Sequence, residues 1–213
     1  MDLSNVRIGL IGLGYVGLPL AVEFGKHYPT VGFDIKAERV AELRAGRDST
    51  LEVEPEELAL AERLKFPSVF RSDHYFIGPQ QDSLEAYLSF VIAAKETTML
   101  RFGPLVSPVT FRSPIDQARM AAQIDVLSGG RFVMGMGAGW NEAEHRAYGI
   151  PFPPLKERFD RLEESIQVAK SLWTSADARF DGRYYTLAGA NCLPRPAAGR
   201  PPLLIGGGGE KRT

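Results

Sequence analysis

Arg131-Phe-Val-Met-Gly-Met-Gly-Ala138 is an apolar run of strand length that opens directly onto Gly139-Trp-Asn141. Before it, residues 115–127 carry apolar side chains at helical spacing and stop at Ser128-Gly-Gly130, a helix-ending signal. A helix feeding an apolar strand that ends in glycine is the repeating unit of a parallel sheet covered on both faces. The same unit recurs on either side. Upstream, residues 56–64 read as a helix, Ser68-Val-Phe-Arg-Ser-Asp-His74 as a strand with a polar end, residues 84–94 as a helix and 99–107 as a strand. Downstream, residues 158–173 form an amphipathic helix with Phe159, Leu162, Ile166, Ala169 and Trp173 on one stripe, and Pro202-Leu-Leu-Ile205 is the last strand. Residues 178–187 and 188–200 break the alternation, as a strand-bearing insertion and a Pro/Gly-rich loop. The fold class expected is α/β, built from parallel βα units.

The first sixty residues follow a related grammar. Val6-Arg-Ile-Gly-Leu-Ile-Gly-Leu13 reads as a buried parallel strand, residues 15–27 as a helix with Pro19 in its first turn, and Thr30-Val-Gly-Phe-Asp34 as a second strand. Between strand and helix lies Gly12-Leu-Gly14-Tyr-Val-Gly17. In a dinucleotide fingerprint Gly12 allows the tight turn, Gly14 lets a pyrophosphate approach the backbone, and Gly17 lets helix and strand pack closely. Asp34, at the end of the next strand, is where a carboxylate accepts hydrogen bonds from an adenosine ribose, which favours NAD over NADP. The alternative is a glycine-rich structural turn with Asp34 as a helix cap.

Composition excludes several classes. The 25 basic and 26 acidic side chains leave a net charge of −1, so no basic excess points to nucleic acid or an anionic membrane surface. The single cysteine, Cys192, has no internal partner, so a reducing cytoplasm is the expected setting. The N-terminus lacks a basic leader, no segment reaches the roughly 20 apolar residues of a membrane span, and no metal site is expected.

In parallel α/β folds ligands bind beyond the carboxyl ends of the strands. Those ends carry Asp73-His74, Ser107-Pro-Val-Thr110, Gly137-Ala138-Gly139-Trp140-Asn141 and Gly206-Gly207-Gly208-Gly209. The four glycines expose successive amide N–H groups, which suits a phosphate. From the residues alone, His74 reads as a strand-end cap and Trp140 as core filling. Glu144 and His145 read as surface residues of a loop, and the charges at residues 158–164 as a solvated helix face.

Two resemblances add to this. Ile-Gly-Leu-Gly-Tyr-Val-Gly-Leu-Pro-Leu-Ala, Gly-Phe-Asp-Ile and Gly46-Arg-Asp-Ser-Thr-Leu-Glu-Val53 resemble the start of UDP-glucose/GDP-mannose dehydrogenases, over about residues 6–58. Nothing later matches that family's substrate loops or catalytic cysteine segment. The resemblance therefore implies an NAD-binding half-motif without the means to oxidise a sugar. From about residue 59 to the end, the chain resembles luciferase-like monooxygenases in their deazaflavin branch. The motifs are Ser-Asp-His, Ser-Pro-Val-Thr-Phe-Arg-Ser-Pro, Asp125-Val-Leu-Ser-Gly-Gly-Arg-Phe, Gly-Ala-Gly-Trp-Asn-Glu-Ala-Glu-His145, Gly149-Ile-Pro-Phe-Pro-Pro, Glu157-Arg-Phe-Asp-Arg-Leu-Glu-Glu164 and Pro202-Leu-Leu-Ile-Gly-Gly-Gly-Gly. This resemblance implies a TIM barrel with F420 or FMN over its mouth. It implies that His74 assists proton transfer with Asp73 orienting it, and that Ser107, Gly137 to Asn141 and Gly206 to Gly209 cradle ring and phosphate.

The joint between the two resemblances implies two segments, 1–58 and 59–213, packed as one unit. Six parallel strands are expected where a TIM barrel needs about eight, so the expected form is an incomplete barrel or an open twisted sheet. Open strand edges imply a homo-oligomer. The function expected is a flavin- or deazaflavin-dependent oxidoreductase of weak activity acting on a small molecule. The alternatives are an NAD-binding module and a non-catalytic chimera of the two folds.

Overall fold

Parallel pairing governs the sheets, as the alternation of helix and strand requires. The computed structural model describes residues 8–11, 26, 29–33, 40, 55–76 and 84–207. The chain divides into two compact units, residues 1–69 with 96–100 and residues 70–95 with 101–213.

In the first unit β1 (Ile8–Ile11) and β2 (Thr30–Phe33) pair in parallel, with Ile8 opposite Thr30 and Ile11 opposite Phe33. They form their own two-stranded sheet. Helix α1 (Pro55–Arg63) buries Leu58 and Ala61. Its Glu62 carboxylate accepts N–H bonds from Thr98 and Met99 and the hydroxyl of Thr98, which fixes the chain at that turn.

Strand β3 (Ser68–Arg71), whose last two residues open the second unit, shares a two-stranded sheet with β4 (Arg101–Pro104). The Leu105 N–H donates to the Arg71 carbonyl at 2.7 Å. The expected strand over 99–107 is in fact two. Leu105 and Val106, joined by a cis peptide, separate β4 from β5 (Ser107–Pro108). A parallel bridge from Phe102 to Phe132 links β4 to the segment entering β6 (Met134–Gly137). Strand β6 then lies between β5 and β9 (Leu203–Gly206) in a parallel three-stranded sheet. The described strands of this unit thus run β3, β4/β5, β6, β9 in an open arc. Its last level is set by register: Pro108 opposite Gly137, and Gly137 opposite Gly206. All three residues stand at the carboxyl ends of their strands.

Helices pack on this arc for reasons visible in their residues. Helix α2 (Ala86–Glu96) buries Tyr87 and Phe90. Phe90 meets Phe102 and Phe132 at centroid distances of 6.2 and 5.6 Å, contacts worth about 0.5–1.5 kcal/mol each beyond their buried area. Helix α3 (Pro114–Leu127) starts with Pro114 in its first turn, and the Ser113 hydroxyl accepts from the Ile115 N–H. It ends at Ser128, after which Gly129 and Gly130 take φ of 69° and 89°, a conformation that favours glycine. Helix α4 (Glu142–Tyr148) is capped by Asn141 at one end and by left-handed Gly149 at the other. Helix α5 (Leu155–Thr174) buries Leu162, Ala169 and Trp173 from the expected stripe, and the Trp173 indole donates to the Ala118 carbonyl of α3 at 2.9 Å.

The segment that breaks the alternation is an antiparallel hairpin, β7 (Ala178–Asp181) with β8 (Thr186–Ala190). Glu164 of α5 holds its turn by accepting the N–H groups of Arg183, Tyr184 and Tyr185 at 2.8, 2.9 and 3.1 Å. The charges at residues 158–164 are therefore not simply a solvated face. Arg158 is buried, donates to the Pro153 carbonyl and stacks over Phe152 at 3.8 Å. Arg161 and Glu157 form an i,i+4 pair at 2.8 Å.

Candidate functional site

The carboxyl ends of β3, β5, β6 and β9 bring Asp73, His74, Ser107, Gly137 and Gly206 to the same edge of the arc. Asp73 lies two residues beyond β3 and is buried. Its carboxylate accepts a two-pronged bond from Arg112 at 2.6 and 3.1 Å and the Ser107 hydroxyl at 2.7 Å. Because Ser107 gives its one hydrogen to Asp73, the Tyr87 hydroxyl 3.2 Å away donates to Ser107. Arg112 also pairs with Glu85 at 2.5 Å and lies 5.0 Å over the Tyr87 ring.

Burial by itself would lower the affinity of Arg112 for its proton. The charge and hydrogen bonds of Asp73, with Glu85 behind them, outweigh burial and hold the guanidinium above its ordinary value. Burial drives the Tyr87 phenol the same way, above its ordinary value. The cluster therefore remains an ion pair with a neutral phenol beside it.

His74 belongs to a different set of contacts. Its Nδ1 lies 2.7 Å from Glu144 Oε2, while Oε1 of the same carboxylate accepts the N–H groups of Tyr75 and Phe76 at 2.6 and 3.2 Å. Glu144 is fully buried and the His74 side chain is 12% exposed. The Trp140 ring meets His74 edge-on, with centroids 5.7 Å apart. The carboxylate that orients His74 is thus Glu144 and not Asp73. Asp73 instead holds Arg112 and Ser107.

Several readings are corrected with this. Glu144 and His145 are not surface residues of a loop but buried members of α4. His145 bonds the Asn141 carbonyl through Nδ1 and the Thr110 hydroxyl through Nε2, both at 2.7 Å. Trp140 is not core filling, being 69% exposed. Ser107 is fully buried with its hydroxyl committed, so it reaches the strand-end face only through Asp73. Asn141 spends its side chain capping α4, where Oδ1 accepts from the Ala143 N–H.

Three of the glycines are required by close packing. A Cβ at Gly137 would come within 2.6 Å of a Val106 methyl, and one at Gly206 within 2.5 Å. At Gly139 φ is 81°, and a Cβ would lie 2.9 Å from the Thr110 hydroxyl. Only glycine leaves the backbone at these three positions in its place. The strand-end edge is consequently floored by backbone and Val106, and flanked by His74 and Trp140. Gly207 is exposed after β9. Gly12, Gly14, Gly17, Asp34, Gly208 and Gly209 lie outside the described residues. Among the described residues no group of three His, Cys, Asp or Glu could hold a metal ion, and no helix is long and apolar enough to cross a membrane.

Sequence reasoning missed Glu144, Arg112, Val106 and Tyr87 as members of the site. Arg112 and Glu144 stood inside quoted motifs, but α4 has only seven residues, too few for periodicity to reveal its buried face. Val106 lies between two short strands that read as one.

Known proteins resemble two stretches of the chain. The chain is 36% identical over 153 residues to an F420-dependent glucose-6-phosphate dehydrogenase of Intrasporangium calvum, a match covering 70% of this chain and 46% of that protein. A solved F420-dependent secondary alcohol dehydrogenase, in complex with an F420-acetone adduct, superposes with a TM-score of 0.64 at 26% identity, covering 73% of this chain and 49% of the other. The chain therefore spans about half the length of these proteins. A 64-residue stretch is 58% identical to a UDP-N-acetyl-D-glucosamine 6-dehydrogenase of Pseudomonas aeruginosa, 30% of this chain and 15% of that protein. Residues 32–213 match the family model described as luciferase-like monooxygenase, and the chain belongs to that family.

Proposed function

We propose that the second unit binds the ring of F420 or FMN across the ends of β5, β6 and β9 and supports an oxidoreductase reaction in which His74 moves the proton. The observation that carries this reading is the His74–Glu144 pair, set beside exposed Trp140 at a glycine-floored strand edge. A bound deazaflavin or flavin supplies hydride chemistry, and the protein supplies position and electrostatics. Gly137 and Gly206 let Val106 pack against the strand-end backbone, and together they form the floor under the ring. Gly207, with Gly208 and Gly209 next in sequence, offers amide N–H groups to the phosphate. Glu144 holds the imidazole, and the Nε2 atom gives or takes the proton of a substrate hydroxyl or carbonyl oxygen. The Asp73–Arg112–Ser107 cluster stiffens the wall behind it. The F420-dependent relatives favour the deazaflavin over FMN.

A second reading concerns the first unit. Strands β1 and β2 are parallel and in register, with Gly12 and Asp34 the next residues in sequence after their carboxyl ends. That is the order a dinucleotide fingerprint needs, and it supports NAD at Gly12, Gly14, Gly17 and Asp34. The 58% identity to the sugar-nucleotide dehydrogenase supports the same reading. The single cysteine, buried Cys192, supports a cytoplasmic setting, and the position of β9 at the end of its sheet among the described residues supports self-association.

The test mixes the protein with reduced FMN or F420H2 and an artificial electron acceptor, with His74→Ala alongside. Turnover above background that His74→Ala lowers by on the order of 100-fold is expected if the histidine moves a proton in the rate-limiting step. Turnover untouched by His74→Ala would refute the site assignment.

A further inference from the structure

We infer that Glu144 is a positioning residue that fixes the tautomer of His74, so that the neutral ring carries its proton on Nδ1 and presents Nε2 as an acceptor. The two carboxylate oxygens have different tasks. Oε1 is taken by the backbone N–H groups of Tyr75 and Phe76, at 2.6 and 3.2 Å. Oε2 is left for His74 Nδ1 at 2.7 Å. A carboxylate only accepts, so Nδ1 must donate. The carboxylate is fully buried, and three N–H groups converge on its two oxygens, so neither is left without a partner. His74 Nε2 makes no hydrogen bond to a described residue and is not a buried unpartnered atom, so it keeps its access to solvent. A ring held this way takes a proton at Nε2 from a hydroxyl.

The division of labour between the two oxygens makes a sharp test possible. In Glu144→Gln the amide has one acceptor and one donor end. Tyr75 and Phe76 both need an acceptor, so the amide oxygen occupies the Oε1 position. The NH2 group then faces His74 Nδ1 and donates to it. The ring proton must move to Nε2, and the site-facing nitrogen changes from acceptor to donor. A merely structural role for Glu144 produces no such inversion.

The proposal deepens the reading of His74 as the proton-moving group, but its test needs no cofactor. The measurement is the pair of ring 15N shifts of His74 in the protein alone, at a pH high enough that they no longer move, with His74→Ala to assign the signals. His145 is the internal control for folding. Its Nδ1 faces the Asn141 carbonyl and its Nε2 the Thr110 hydroxyl, so it keeps its proton on Nδ1 in every variant. The wild type is expected to show a protonated Nδ1 and a bare Nε2 at His74, and Glu144→Gln the reverse with His145 unchanged. A wild-type His74 protonated on Nε2 would overturn the proposal even if the variant did not fold. So would a Glu144→Gln protein with intact His145 signals and an unchanged His74 tautomer. Failure to bind F420 or FMN would overturn the functional reading instead, and would leave these shifts as they are.

Discussion

Removing Arg112 leaves Asp73 buried with only the Ser107 hydroxyl to accept, in place of three hydrogen bonds and a facing charge. Breaking a buried pair from one side costs about 3–5 kcal/mol, because the remaining charge stays uncompensated. The Arg112 side chain is 17% exposed, which lets water reach part of the cluster and places Arg112→Met near the lower end, about 3 kcal/mol. For a chain of 150–250 residues about 1 kcal/mol moves Tm by roughly 2–4 °C, so the variant should melt roughly 6–12 °C lower. Asp73→Leu alone leaves the guanidinium with Glu85, which is 40% exposed and a weaker substitute. The double variant removes both charges and should recover part of the loss, with a coupling energy above about 1 kcal/mol for groups in direct contact. Thermal melting by circular dichroism of the four proteins completes the cycle. Strictly additive losses, or an Arg112→Met protein as stable as wild type, would show that the pair does not hold the wall of the site.

Other perturbations probe other joints. Glu62 accepts the N–H groups of Thr98 and Met99; burial raises its pKa, but these bonds lower it more, so it stays below the ordinary carboxylate value. The stability it adds is therefore present above that ordinary value and lost as pH falls through its own lowered one, and melting of Glu62→Gln should converge with wild type only in acid. Trp173→Phe keeps the buried ring but removes the indole bond to the Ala118 carbonyl, which lies within helix α3, and should cost about 0.5–1.5 kcal/mol in urea unfolding. Gly139→Ala places a side chain at φ 81° against Thr110 and should cost roughly 1–2 kcal/mol by the same assay while weakening cofactor binding. Asp34→Ala should weaken NAD binding by about 1.5–3 kcal/mol in a fluorescence titration with little change in folding; equal affinity would remove the dinucleotide reading. Light scattering should show self-association at high concentration, and a stable monomer would mean that the strand edges are covered.

Much of the fold was legible because its signals are long or chemically distinctive. The end of α3 follows from Ser128-Gly-Gly130, and most of α5 was legible over 158–173 from its amphipathic spacing. The break between β4 and β5 was not legible, since Leu105 and Val106 are as apolar as the strand residues around them. At the site, the strand-end rule picks out Asp73, His74, Gly137 and Gly206, which stand at or just beyond the ends of β3, β6 and β9. It could not say which acid faces the histidine. Asp73 is the neighbour in sequence, but adjacent residues leaving a strand point apart, and the partner came from Glu144, 70 residues away. Three buried N–H bonds to one glutamate are tertiary facts that no local pattern encodes.

The most direct test of the central claim is a titration of F420, and in parallel FMN, into the purified protein, read by ligand fluorescence. Trp140 and His74 border the proposed ring position, so a saturable change with at least one of the two is expected, and Trp140→Ala should weaken it. A flat response with both ligands, from a protein whose melting shows it to be folded, would contradict the assignment of the strand-end edge as a cofactor site.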